Sequence, residues 1–270
     1  MRKFLLVIML FLPCMVFANA GEHACGTIEC DSFKPALNDH ASLQRGAKYF
    51  VNYCMGCHSL AYMRYERLAD DLGISHEDMQ ANLNFLAPGR KIGELMSISA
   101  PKKNQKKWFG AAPPDLTLVS RARGSAWIYT YMRNFYRDDN RPYGVNNKVF
   151  PDVGMPHMML ELQGMQECAP GAIEGEYGIK RDPLTNKDIL IDEQTGKYGN
   201  PCGKYSIKQP GSMSVAEYDQ AVFDLTNFLT YVGEPVQMKR QRLGVYVLLF
   251  VALFFVLAWL LNREYWKNIH

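Results

Sequence analysis

Residues Cys54-Met55-Gly56-Cys57-His58 place two thiols and an imidazole within five positions, and a chain that carries such a cluster must close it around something. The spacing C-x-x-C-H is that of covalent haem attachment, in which two thiols meet the porphyrin vinyl groups and the adjacent histidine is tethered beneath the iron. Roughly 0.004 such motifs are expected by chance at this composition, so the motif discriminates strongly. The competing uses are a thioredoxin-type thiol pair, which needs a βαβ context, and half of a zinc site, which needs a second C-x-x-C. The sequence has neither.

If the iron is to change oxidation state with little movement, both axial positions must be filled, and a soft Met thioether favours the ferrous form. Among fourteen methionines, Met155 stands out because Gly154 and Pro156 confine it to a non-helical loop. His157 is the alternative ligand, and Met158-Met159-Leu160 reads as buried packing. Arg121 and Arg123, after Pro113-Pro114-Asp115-Leu116, are candidates for bidentate contacts to the haem propionates, with a solvated arginine pair as the equal alternative. Trp108 and Phe109 are candidates for packing at the haem edge.

The local pattern around the motif is helical. Leu43, Ala47, Phe50, Val51 and Cys54 recur at helical spacing behind Asp39 or Ser42 as N-cap, so a helix leads into the motif. Gly46 on that helix would permit close crossing by another helix, at a propensity cost of ~1 kcal/mol relative to Ala. A second helix carries Val215, Tyr218, Val222, Leu225, Leu229 and Val232, opened by a Ser214–Glu217 capping box and stopped by Gly233 and Pro235. A shorter aromatic helix is predicted between Trp127 and Tyr136. Residues 163–211 are rich in Gly, Pro and charge and read as a long loop insertion with few core positions.

The termini place the chain. Arg2 and Lys3, the apolar run Phe4–Phe17 and Ala18-Asn19-Ala20 have the order of a secretory signal, cleaved after Ala20. An N-terminal anchor would need ~20 apolar residues, and a lipoprotein reading of Cys14 is opposed by Pro13. Leu243–Leu261 is an uncharged stretch, long enough at ~1.5 Å per residue to cross a core of ~30 Å, with Trp259, Tyr265 and Trp266 toward its far end. The expected organisation is a signal peptide at 1–20, an exported haem domain at 21–242, a transmembrane helix at 243–261 and a cytoplasmic tail at 262–270. Six cysteines remain after Cys14 is removed. Two belong to the motif, and the economical pairing of the other four is Cys25 with Cys30 and Cys168 with Cys202, as an exported chain allows.

Charge excludes one class of partner. The formal net charge is +3, too small for nucleic-acid binding, and residues 21–238 hold 23 Lys+Arg against 26 Asp+Glu. That mildly acidic balance suits docking of a basic partner protein, with Asp70–Asp78 and Glu161–Glu176 as candidate surfaces.

The ordered set of Ser42–His58, Arg90-Lys91-Ile92-Gly93-Glu94, Lys107-Trp108-Phe109 through Pro113-Pro114-Asp115-Leu116, Arg121-Ala122-Arg123, Met155-Pro156 and one C-terminal span resembles the cytochrome c1 family in a bacterial form. The Cys25/Cys30 pair lies outside that pattern. The resemblance implies an all-α cytochrome c-type domain with one covalent haem c on Cys54 and Cys57, His58 and Met155 as axial ligands, and a propionate contact from Arg123. It further implies an electron-transfer subunit of ubiquinol–cytochrome c oxidoreductase, with no reaction of its own. Electrons would arrive from the Rieske iron–sulfur protein and leave to a cytochrome c, with cytochrome b beside the membrane helix, in a dimeric complex at the bacterial inner membrane whose haem domain faces the periplasm. The alternatives are a stand-alone anchored cytochrome c, and a haem peroxidase or gas sensor with an open sixth position.

Overall fold

The computed structural model describes residues 25–26, 28–84, 89, 91–168, 177–181, 188–192, 198–199, 202 and 205–267. The expected signal peptide, Arg90, much of the insertion and the last three residues of the tail lie outside them. In chain order, α1 (His40–Tyr49) runs into a π-helical turn (Phe50–Cys54) and is followed by β1 (Leu60–Arg64), α2 (Tyr65–Leu72), α3 (His76–Asn82) and β2 (Leu95–Met96). Then come α4 (Lys102–Phe109), α5 (Val119–Ala122), α6 (Ser125–Arg133), β3 (Phe135–Arg137), β4 (Val145–Asn147) and α7 (Leu160–Gln163). The insertion carries β5 (Gly164–Cys168), β6 (Tyr177–Arg181), β7 (Asp188–Asp192), β8 (Tyr198–Gly199) and β9 (Tyr205–Pro210), and the chain ends in α8 (Val215–Gly233) and α9 (Gln237–Tyr265).

The crossing of α1 and α8 organises the core. Of the two N-cap candidates for α1, Asp39 is the one used, accepting from the Ser42 amide at 3.0 Å. The capping box of α8 forms as expected between Ser214 and Glu217. Gly46 sits where the helices touch: a Cβ there would collide with the Asp224 carbonyl and Phe228 Cβ, so the close approach offsets the poor helix propensity of glycine. Leu43, Phe50, Val222, Leu225 and Phe228 are buried around the crossing, each contributing about 1.5–3 kcal/mol of apolar transfer. Buried Asp224 locks the pair by accepting from Ser42 Oγ at 2.7 Å and from Arg45 Nε at 2.6 Å. A buried carboxylate so satisfied specifies one register, because any other would leave its charge without partners. Val215, counted in the apolar stripe, is instead exposed in the first turn of α8.

The structure corrects three expectations. The fold is mostly helical but not strictly all-α, since it holds four small antiparallel sheets: β1–β2, β3–β4, β5–β9 and β6–β7–β8. Two of them lie in the segment expected to be loop. Its neck is the β5–β9 ladder from Gly164↔Pro210 to Cys168↔Tyr205, and further out β6 pairs β7 from Tyr177↔Asp192 to Arg181↔Asp188. Short runs such as Asp188-Ile-Leu-Ile-Asp192 have strong strand propensity that surrounding Gly and Pro obscure. The aromatic helix predicted to reach Tyr136 ends at Arg133, and Phe135 and Tyr136 pair with Asn147 and Asn146 instead. Both expected disulfides, Cys25–Cys30 and Cys168–Cys202, are present.

Helix α9 has 29 residues, a mean hydropathy of 2.7 over its most apolar window, and no buried residue. At ~1.5 Å per residue it is longer than a bilayer core of ~30 Å, and Leu243–Leu261 lies within it. It is the one helix among the described residues long and apolar enough to cross a membrane.

Candidate haem site

The motif sits on an irregular helix end. The Met55 amide donates to the Phe50 carbonyl at 2.9 Å, a π-type bond, and the His58 amide then closes on the Cys54 carbonyl at 2.9 Å. Such π-turns occur mostly where a helix must re-aim side chains for function. Cys54 and Cys57 are free thiols, whereas the other four described cysteines are paired. Burial pushes the Cys54 thiol up to about 12. A thiol so reluctant to ionise is poorly suited to disulfide exchange, which needs the thiolate. Among the described residues no group of three or more His, Cys, Asp or Glu is gathered for a metal ion.

His58 is buried, and its Nδ1 lies 2.7 Å from the Pro114 carbonyl. A carbonyl only accepts, so Nδ1 carries the proton and Nε2 keeps its lone pair. Burial also holds the imidazole pKa below its ordinary value, favouring the neutral ligand form. The Pro113-Pro114-Asp115-Leu116 segment is sewn down on the motif. The Asp115 carboxylate accepts from the amides of Ala61 (2.7 Å) and Thr117 (2.9 Å), and the Leu116 amide donates to the Ser59 carbonyl at 2.9 Å.

Met155 is held by different means. The Tyr131 hydroxyl, on α6, donates to Met155 Sδ at 3.5 Å. Tyr131 stacks on Trp127 (4.9 Å between centroids, 9° between planes), and the Arg123 guanidinium lies over Trp127 at 5.3 Å. On the other side Tyr131 meets Phe135 edge-on at 5.1 Å, and Phe135 stacks on His157 at 4.7 Å. The loop before Met155 is anchored by Arg141, which donates to the carbonyls of Asp152 and Val153 and to the Asp152 carboxylate at 3.2 Å. Asp152 has φ +61°, the single positive φ among the described non-glycine residues. Backbone strain of this kind persists only where surrounding contacts over-determine it.

The remaining candidates separate. His157 Nε2 bonds to Gln163 Oε1 at 2.7 Å, and burial lowers the ring's pKa to about 4, while Nδ1 is buried without a hydrogen-bond partner among the described residues. Met159 is buried as expected, but Met158 is not. Arg121 pairs with Glu234 at 2.6 Å where α8 passes into α9, while Arg123 stays on the aromatic stack that ends at Met155. Trp108 and Phe109 are exposed at the end of α4. Sequence reasoning missed Tyr131, Arg141, Asp152 and the Pro114 carbonyl as supporting groups. Only the Pro-Asp pair at 151–152 carried a local turn signal for any of them.

The residues fit a covalently held haem: two unpaired thiols, a buried imidazole with Nε2 uncommitted, and a half-buried thioether on a constrained loop. Comparison with known proteins agrees. The pattern of the Cytochrome C1 family matches residues 33–167 and 212–269, and the residues between fall outside the match. The chain is 46% identical to "Cytochrome c1" of Allochromatium vinosum over the full length of both. It is 38% identical to the "Ammonia monooxygenase gamma subunit" of Nitrosomonas europaea, over all of this chain and 99% of that one. It is 27% identical to "Cytochrome b/c1" of Bradyrhizobium diazoefficiens, over 86% of this chain and 34% of that longer protein. With the family pattern covering both the haem motif and the membrane helix, and a full-length bacterial relative bearing the same name, the chain belongs to the cytochrome c1 family.

Proposed function

We propose that Cys54 and Cys57 hold a single haem c by thioether bonds, that His58 and Met155 are its axial ligands, and that the chain relays single electrons within the cytochrome bc1 complex. When bound, the haem supplies an iron that gains and loses one electron at a time. The protein's own groups set the conditions for that cycle. The Pro114 carbonyl fixes the His58 tautomer and keeps Nε2 available. The Tyr131 hydroxyl draws electron density from Met155 Sδ, which favours the reduced state, and Arg141 keeps the loop from swinging away. Arg123, over Trp127, is the better placed of the two arginines to face a propionate.

On this reading electrons come from a Rieske iron–sulfur protein and pass to a cytochrome c, with cytochrome b against α9 and the complex dimeric. The name of the Bradyrhizobium relative, which joins the two cytochromes, supports the cytochrome b partner. Residues 1–20 would be a signal peptide that exports residues 21–242 to the periplasm, with a span at 243–261 and a cytoplasmic tail at 262–270. The observation that carries the reading is the Nδ1–H···Pro114 bond beside two unpaired cysteines. Affinity purification of the full chain from membranes tests it. Haem that stays on this polypeptide under denaturing electrophoresis, together with co-purified cytochrome b, is the expected result, and haem without cytochrome b indicates a stand-alone carrier.

A further inference from the structure

Among the described residues, most carboxylates of the acidic stretches that sequence reading nominates for docking are engaged within the fold. Asp70 pairs with His76 at 2.9 Å, Asp71 takes both Arg67 and the Tyr231 hydroxyl, and Asp78 accepts from Ser75 Oγ at the start of α3. Glu161 accepts from the Tyr53 hydroxyl, and Glu167 lies between Lys208 and Arg137. Helix α4 is the reverse case. Lys102, Lys103, Lys106 and Lys107 put four positive charges on eight residues that include no acid; all four are exposed, and no ion pair with a described residue engages them. Trp108 and Phe109 follow, 59% and 37% exposed, with their rings edge to face. Outside these four lysines, residues 21–238 hold 19 Lys+Arg against 26 Asp+Glu, so α4 is a basic island on an acidic domain.

The position of α4 makes this informative. Before the helix, the Ile98 amide donates to Ser59 Oγ at 3.0 Å; after it, the Pro114 carbonyl takes the His58 proton and the Leu116 amide donates to the Ser59 carbonyl. The segment carrying the lysines is thus fastened at both ends to Ser59, the residue after the haem motif, and at its far end also to His58. Tyr62, on β1 and joined to this segment through its amide and the Thr117 hydroxyl, and Leu118, in the turn before α5, are also exposed.

We propose that α4 with Trp108 and Phe109 is the docking surface for a soluble one-electron carrier whose contact face is acidic. The proposal rests on the haem reading above and reverses the polarity that the overall charge suggests. Lysines accelerate and orient the encounter, while exposed aromatics supply the small desolvated contact that transient redox complexes use. One electron leaves this chain and reduces the partner's oxidised centre; no bond forms or breaks. An anionic membrane is the weaker occupant, because α4 has no apolar face of its own, with Gln105 as its buried residue and aromatics only at its end.

The test is stopped-flow oxidation of the reduced, haem-loaded full chain in detergent by two acceptors, an acidic plastocyanin and a basic mitochondrial-type cytochrome c. At low salt the acidic acceptor should react about tenfold or more faster, and salt should erase the advantage. Charge reversal at all four lysines (K102E, K103E, K106E, K107E) should invert the preference while the haem spectrum and potential stay unchanged. Trp108→Ala should slow the acidic acceptor several-fold at every salt concentration. A faster basic acceptor, or equal rates in parent and reversed variant, overturns the proposal. So does a variant that loses only its binding to phosphatidylglycerol vesicles, which would make α4 a membrane contact. A purified chain without covalent haem absorption instead removes the haem reading, and this proposal with it.

Discussion

The two faces of the haem site are built in opposite ways. On the His58 side, residues 58–61 and 114–117 are joined by hydrogen bonds among backbone groups, the Asp115 carboxylate and the imidazole itself, so the ligand is oriented largely by the chain. On the Met155 side, the ligand rides a loop with a strained residue at Asp152, and its position depends on side chains from α6 and from the turn after β3. The first face is stiff because few rotatable bonds intervene. The second is adjustable, and an adjustable axial ligand is where a potential can be tuned.

Four substitutions sharpen this contrast, in order of expected effect. Cys57→Ala should leave at most one thioether and reduce haem retained on denaturing gels severalfold or to background, since the remaining thiol at Cys54 is buried. Asp115→Ala removes a charged acceptor from two amides, each such bond being worth about 1.5–3 kcal/mol, so thermal unfolding should show a loss of about 3–6 kcal/mol while the Met155 ligation spectrum survives. Arg141→Ala should cost about 2–3 kcal/mol and act in the opposite place: the Met155 loop loosens and the ferrous protein becomes partly reactive to carbon monoxide. If Asp115→Ala opened the iron to carbon monoxide and Arg141→Ala did not, the assignment of stiff and adjustable faces would be reversed. Tyr131→Phe is the mildest change. Loss of a hydrogen bond worth about 1 kcal/mol should lower the midpoint potential by up to about 40 mV with the fold intact.

What was legible in the sequence follows the same division. The His58 face is written in five consecutive residues, and α1 and α8 are written in caps and periodicity that act within one or two turns. Gly46 was readable as a crossing point because only glycine admits the Asp224 backbone there. Met155 was readable as a loop residue from its neighbours, but Tyr131 and Arg141, the groups that hold it, were not, because neither lies in a local pattern pointing to position 155. The strands of the insertion were missed because their pairing spans segments of like composition, and Phe135–Tyr136 left the aromatic helix because pairing with Asn146 and Asn147 outweighed local propensity. Net charge pointed to acidic docking because it averages over the whole domain, while the basic residues of α4 are concentrated on one exposed helix.

The most direct measurement is a redox titration of the purified full chain beside its Met155→Leu variant, with carbon monoxide added to each reduced sample. Ligation by Met155 predicts a parent that is inert to carbon monoxide and a variant that falls in potential and binds it. A parent that itself binds carbon monoxide, or a variant unchanged in both respects, would contradict ligation by Met155 and with it the electron-relay geometry.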